Sequence, residues 1–531
     1  MAVTTKELER IKQRHSAAVA DRQQYDSYID TAFRYSVPQR RIYLEAQNKL
    51  RPNPEIYDDT AVIGVQKFAT KMQSMLVPSA QKWMRLEPGS DIPEEEQVNA
   101  QLKYDAQTTI FFEELEKSNF DMQVSESFQD LAITTGALII NPAPIGADSS
   151  ITYKSIPINE LSFEESDDGI IRNVWRQFDM RIIAITESYP EAKISELHKK
   201  AIEVDPTKSI TIVESTIYDQ KTRQSQVVLY EPSTNHIFLE RLEDVGAIVV
   251  FRENVVSGAA FGFGRVLRVL PSIKTVNKIK ELTLQGGSMA ISGTFTAHDD
   301  GVLNPYNVRL RPGVTIPVNS NDTRNPSIAR LDTPTNFDWS AFEVNDLRAT
   351  INESLMSDPY GAINETPVRT ATEIAARNSE IFHSVSSSLG RMQREFIAPV
   401  IKRTIYLLQK AGKLEEFALD GLEVKYKYIS PLAKLQASAD VENVLEWLGI
   451  VGTMGEEVTQ LTVQMEAVPA WLGKQYGVPQ ELMRSPEQAA EVVEADEAKQ
   501  MEQMAATDGL AGGIAPQELA GPMPGLEGMY G

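Results

Sequence analysis

The sequence predicts an α+β chain, predominantly helical, with one β-rich block set between helical regions. Three observations carry this. Apolar residues recur at helical spacing through most of 5–137 and again beyond 266. Residues 151–252 change period, to short alternating or fully apolar runs separated by turn residues. At 531 residues, 42% hydrophobic and 24% charged, the chain has the composition of a folded protein but is too long for one core, so about two to four domains are expected.

In chain order, 5–34 reads as a charged helix ended near Pro38. A second helix, 56–76, places Val62, Val65, Phe68, Ala69, Met72, Met75 and Leu76 on one face, and "QKWMRLEP" follows in extended form. Helices at 98–118 and 124–137 lead into the buried strand "ALIINPAP". The β block follows, with "ESDDG" (165–169) as a hairpin turn and one helix at 186–203. "SGAAFGFGR" (257–265) reads as a glycine-rich hinge. Helicity returns near Val266, with a helix start at Pro271–Ser272 in the stretch 270–291. A Gly/Pro/Asn-rich insert with short strands (293–335) precedes a helix at 338–356, whose apolar members are Phe342, Leu347, Ile351 and Leu355. A polar loop, 357–369, then opens a long helix, 370–411. Thr370 and Glu373 form a capping box at its start and Gly412 stops its end. About forty residues span roughly 60 Å, and Pro399 should bend the helix. A strand, "GLEVKYKYIS", and helices at 432–466 and 485–505 follow. The Gly/Pro/Ala-rich stretch 506–531 is expected to be disordered.

Composition excludes several functions. With 74 Asp and Glu against 52 Lys and Arg, net −22, the chain is not built to coat itself in nucleic acid, because neutralising phosphates takes exposed cations. Cysteine is absent, which removes disulfides, thiolate chemistry and Cys-based zinc sites. The polar start "MAVTTKELERIKQRH" is no signal peptide, and no apolar run approaches the roughly 18 residues of a membrane helix. A soluble protein folding inside the cell, without a membrane partner, is expected.

Motifs for chemistry are missing. There is no G-x-x-x-x-G-K-[ST], and "GGSMA" (286–290) fails G-x-S-x-G at Ala290. The five histidines show no metal-ligand spacing, and "HDDG" (298–301) reads as a turn before a metal site. Glu164, Glu165, Asp167 and Asp168 cluster in the β block, with no His or Cys nearby to make an enzyme of them. No enzyme, cofactor or metal is expected. The cations of interest are Lys274, Lys278 and Lys280 on one helix, Arg309 and Arg311 alternating on a strand of the insert, and Arg369 at the mouth of the long helix. Solvated surface charge is the plain alternative for each.

The order helix, small insert, helix, loop, long bent helix resembles the portal, or head-to-tail connector, of short-tailed double-stranded DNA bacteriophages. "KFATKMQSMLVPSAQKWMRLEP" (67–88), "AFGFGR" (260–265), "RTATEIAARNSEI" (369–381) and "REFIAPVIKRTIYLLQKAG" (394–412) are similar to segments of that family, and the likeness covers roughly 5–430. It implies a dodecameric ring at one capsid vertex, assembled in the host cytoplasm, whose central channel passes viral DNA. By this resemblance 1–269 and 370–430 form the wing, 270–292 and 336–356 the stem, 293–335 the clip, 357–369 the tunnel loop and 431–505 the crown. Lys274, Lys278 and Arg369 become channel or DNA-facing candidates. Tyr360, Gly361, Asn364 and Pro367 shape the tunnel loop, and Arg309 and Arg311 become docking candidates on the clip. The implied partners are the terminase large subunit, the tail adaptor, and capsid and scaffold proteins. Another virion component, such as a scaffold or tail adaptor, is the alternative.

Overall fold

The computed structural model describes residues 4–40, 56–93, 96–144, 146–292, 295–297, 337–357, 388, 390–417, 424–429, 431–455, 461–465 and 467–476, with a few between 318 and 330. The chain divides into two compact units, Met1–Ala433 and Lys434–Gly531.

The first unit is α+β. Helix α1 (Thr5–Ser36) starts on a reciprocal cap: Thr4 Oγ1 accepts from Glu7 N, and the Glu7 carboxylate accepts from Thr4 N at 2.8 Å. Helix α2 (Thr60–Leu76) and strand β1 (Met84–Pro88) flank the buried Trp83. Helices α3 (Gln97–Lys117) and α4 (Phe120–Ile133) follow, four residues shorter at the end of α4 than its periodicity predicts, because Thr135 already pairs as a strand. Strand β2 (Thr135–Pro142) is central to an antiparallel sheet between β3 (Ile151–Ser155) and β9 (Ile248–Arg252). From Thr135 to Ile140 β2 is buried at every position, which matches its apolar run Ala137–Ile140.

A second sheet is a five-stranded antiparallel meander of β4 (Leu161–Glu165), β5 (Ile171–Arg181), β6 (Ser209–Asp219), β7 (Gln224–Tyr230) and β8 (Ile237–Glu243). The turn expected at 165–169 is present, with Gly169 at φ 76°. The single helix expected at 186–203 is two, α5 (Ile182–Ser188) and α6 (Glu196–Val204), because Pro190 cannot continue a helix. The sheet buries both faces. Leu8, Ile11 and Ala18 of α1 cover Trp175, Val213, Val228 and Tyr230, while Ile185 of α5 joins Ile212, Leu229 and Phe238 on the other side.

Helix α7 (Arg265–Ser292) runs unbroken through Pro271, against the expectation of a start there. Proline supplies no N–H to the carbonyl of Leu267, one turn earlier. Tyr28 Oη donates to that carbonyl at 3.2 Å, so α1 replaces the missing bond. Strands β10 (Phe295–Ala297) and β11 (Ile328–Arg330) pair antiparallel and precede α8 (Phe337–Ser354). In α8 Val344 and Ile351 are buried, as is Leu355 just beyond its end, whereas Phe342, expected among the apolar contacts, is 74% exposed. Of the long helix the described part is its second half. A π turn at Gln393–Ile397 is followed by α9 (Ala398–Lys410), and Gly412 at φ 70° closes the end as expected. In that turn Ala398 N bonds Gln393 O, a five-residue span that absorbs Pro399. Strand β12 (Val424–Tyr428) returns to pair with β1.

Helix α10 (Pro431–Thr453), which runs from the end of the first unit into the second, exposes Leu445, Trp447 and Ile450, and α11 (Ala467–Tyr476) of the second unit lies where no helix was expected. The predicted helix 485–505 and tail 506–531 lie outside the described residues. Among the described residues no helix is long and apolar enough to cross a membrane.

His15 of α1 stacks on Trp175 at 6.1 Å between ring centres, and burial, reinforced by nearby Arg22, pushes its pKa from 6.5 to about 4. The unfolded chain therefore takes up a proton near pH 6.5 that the folded chain refuses until about pH 4. Stability is complete above that window and falls as pH drops through it, by about 3 kcal/mol from this group. Urea melts from pH 7 to 4 should show the loss in the wild type, and His15→Phe should remove that component.

Candidate functional site

The sequence concentrates its unusual order around α7 and α8, and the fold makes these an antiparallel pair. At the base, Arg265 Nη1 donates to the carbonyl of Ser354 at 3.1 Å, joining the first residue of α7 to the last of α8. Arg265 Nε also donates to Glu253 Oε1 at 2.7 Å. Higher up, Asn277 Oδ1 accepts from Tyr57 N at 2.7 Å, and Asp58 accepts from Arg348 Nε at 2.9 Å and Nη2 at 2.5 Å. The segment before α2 thus clips both helices at once. At the far end the β10–β11 ribbon draws the chain together on either side of residues 298–327, with Phe295 opposite Arg330.

Val266, Leu270, Ile273 and Val276 are buried along the inner face of α7, but beyond Glu281 the helix leaves the core. Leu282, Leu284 and Met289 are all more than half exposed. Lys274 and Lys278 are brought one turn apart on its exposed face. Lys278 Nζ bonds Glu281 Oε2 at 2.9 Å, and that carboxylate raises the lysine's pKa. Lys274 borders a groove of about 520 Å³ with Ser27, Tyr28 and Thr31 of α1. Lys280 is half-buried. Arg309, Arg311, Tyr360, Gly361, Asn364, Pro367 and Arg369 lie outside the described residues, as does the first half of the long helix.

The glycine-rich stretch before α7 is no hinge. A Cβ on Gly262 would stand 2.3 Å from the carbonyl oxygen of Thr134, and one on Gly264 would stand 2.3 Å from that of Ile133. Gly262 N donates to Thr135 Oγ1 at 3.0 Å, Thr134 Oγ1 donates to Gly262 O at 2.8 Å, and Gly264 N donates to Ile133 O at 3.1 Å. The glycines let one backbone lie directly on another, which fixes the entry to α7.

Sequence reasoning also missed what holds this base to the long helix. Arg252, 0% exposed at the end of β9, faces Glu395 in the π turn: Nη2 to Oε1 at 2.8 Å and Nε to Oε2 at 3.2 Å. Two turns on, Arg403 Nη1 donates to Glu243 Oε2 and to the carbonyl of Val245, both at 2.6 Å. Their only signal in sequence is a Glu and an Arg eight residues apart within an apolar helix pattern. Three of the four acids weighed as an enzyme site pair with arginines instead. Glu164 pairs with Arg14, Glu165 with Arg252 and Asp168 with Arg172. Among the described residues no group of three or more His, Asp or Glu is placed to hold a metal.

Two comparisons bear on this arrangement. The model of a family described as bacteriophage head to tail connecting protein matches residues 8–483, nearly the whole chain. The chain belongs to that family. It is also similar to a probable portal protein of Bordetella phage BPP-1, 20% identical over 463 residues that cover 82% of this chain and 80% of the relative.

Glu395→Ala should leave Arg252 buried without its main counter-charge, at a cost of about 3–5 kcal/mol. A large fall in melting temperature or loss of soluble protein is expected, while Glu415→Ala, on an exposed pair with Lys103, should change little.

Proposed function

We propose that this connector protein is a portal subunit. Copies close into a ring, dodecameric by resemblance to the family, at one vertex of the phage capsid. Double-stranded viral DNA enters and leaves through the central channel. The observation that carries the reading is the antiparallel α7–α8 pair. It is locked at its base and closed at its far end by the β10–β11 ribbon, with an insert between the two strands.

In this reading residues 1–269 and 370–430 are the wing, 270–292 and 336–356 the stem, 293–335 the clip and 431–505 the crown. The clip, with Arg309 and Arg311, docks the terminase large subunit during packaging and the tail adaptor afterwards. The loop 357–369, shaped by Tyr360, Gly361, Asn364 and Pro367, projects into the channel, and Arg369 meets phosphate or a neighbouring subunit's acid. The role is mechanical. A net charge of −22 per subunit favours passage of a duplex over its capture, and rings of Lys274 and Lys278 relieve the repulsion locally.

Light scattering of the purified protein, followed by negative-stain images, tests the ring. A particle near twelve times 59.1 kDa with a central hole is expected, formed either alone or with scaffold protein. A species that stays monomeric or dimeric under both conditions overturns the reading. Charge reversal at both lysines, Lys274→Glu with Lys278→Glu, should lower DNA packaging in vitro and change its salt dependence. Packaging unchanged at every salt concentration removes their channel role.

A further inference from the structure

Helices α7 and α8 leave two unlike faces uncovered on one subunit. On α7, Arg268, Lys274 and Leu282 are exposed, Leu282 by 54%. On α8, Glu353, Asp346 and Phe342 are exposed. Each face thus presents charges near the base and an apolar side chain farther out, and the charges of the two faces are opposite in sign. Lys278 and Arg348, on the same helices, are used inside the subunit, by Glu281 and by the buried Asp58. Arg268, Lys274, Asp346 and Glu353 have no charged partner among the described residues.

The two faces also match in order. Arg265 and Ser354 mark a common base, and a helix rises about 1.5 Å per residue. From that base Arg268 and Glu353 stand at about 4.5 and about 1.5 Å, Lys274 and Asp346 at about 13.5 and about 12 Å, and Leu282 and Phe342 at about 26 and about 18 Å. Helical side chains lean toward the N-terminus, which lies at the base for α7 and at the far end for α8. Across a contact between the faces the α7 side chains lean down and the α8 side chains lean up, which shortens the largest offset, at Leu282 and Phe342.

We propose that the α7 face of one copy docks on the α8 face of the next, Arg268 against Glu353, Lys274 against Asp346 and Leu282 against Phe342. The subunit complements itself through two different patches, so the contact is head-to-tail and all copies point the same way. An α7-to-α7 contact sets cation against cation, and an inverted neighbour brings Phe342 to Arg268. Exposed ion pairs contribute little one at a time, but their order selects the partner face and its register. Of the two lysines proposed for the channel, the contact engages Lys274 and leaves Lys278, paired with Glu281, to the lumen. The inference rests on the portal reading for closure of these contacts into a ring, and it names the faces that close it.

Light scattering of the full chain, under the conditions in which the wild type assembles, tests the contact with two double variants. One is Arg268→Glu with Lys274→Glu, the other Asp346→Lys with Glu353→Lys. All four side chains are exposed, so each subunit should keep its melting temperature. Each variant alone sets like charges at every contact, and its ring fraction should fall about tenfold at low salt and less at high salt. An equal mixture of the two should recover the rings, because alternating copies again bring opposite signs together at every contact. The chain carrying all four changes should recover them by itself. Rings undiminished in both double variants overturn the inference and leave the portal reading standing. Loss that neither the mixture nor the fourfold chain restores overturns it in the same way. A wild type that forms no ring, alone or with scaffold protein, overturns both.

Discussion

Arg252 is the residue on which the first unit closes. A guanidinium has five N–H donors, and here every one is used inside the protein. Nε and Nη2 grip Glu395, Nη1 reaches Glu165 and the carbonyl of Ala260, and Nη2 also meets the carbonyl of Gly169. Four separate segments are thereby fixed around one side chain: the end of β9, the β4–β5 turn, the glycine-rich stretch and the π turn of the long helix. Burying such a charge is expensive, and an apolar replacement of similar volume can be more stable. The gain is uniqueness, since no shifted register of these segments would satisfy all five donors.

The neighbouring residue carries that order outward. Glu253, also buried, binds Arg265 at the start of α7, and Arg265 holds the end of α8 through the carbonyl of Ser354. The long helix and the helix pair therefore hang from two consecutive residues. Between them the backbone of Gly262 and Gly264 lies on that of Ile133 and Thr134, so little slack separates the anchor from the pair. In the proposed portal ring, force applied at the tip of this pair would be resisted at that seat. The outer half of α7, with Leu282, Leu284 and Met289 exposed, is held from below and has no core of its own within the subunit.

Local rules read much of this correctly. The alternation of residues 151–252 gave the strands, the ESDDG turn was in place, and Gly412 ended the long helix. The departures have particular causes. Pro271 reads as a helix start because proline favours the first turn, yet Tyr28, far away in sequence, supplies the bond that lets α7 run through it. Phe342 fits the helical stripe of α8, but that end of the helix extends past the part of the core that could bury it. The glycine-rich stretch looks flexible because glycine has the widest conformational freedom, but at Gly262 and Gly264 another backbone occupies the space a Cβ would need.

The sequence by itself determined the α+β class, the order of the elements, the absence of thiol chemistry and the acidic balance, since these follow from composition and from periodicities a few residues long. It also carried the family resemblance, which lives in the order of motifs along the chain. Tertiary structure alone decided which charges are structural and which are free. Glu395 and Arg403 look like surface charges in the sequence, and become buried partners only when segments more than a hundred residues apart meet. Lys274 and Lys278 share a helix with buried Ile273 and Val276, and only the packing of α7 against its neighbours leaves those two cations facing outward. Side-chain periodicity fixes which residues share a face; what that face meets is set by the rest of the chain.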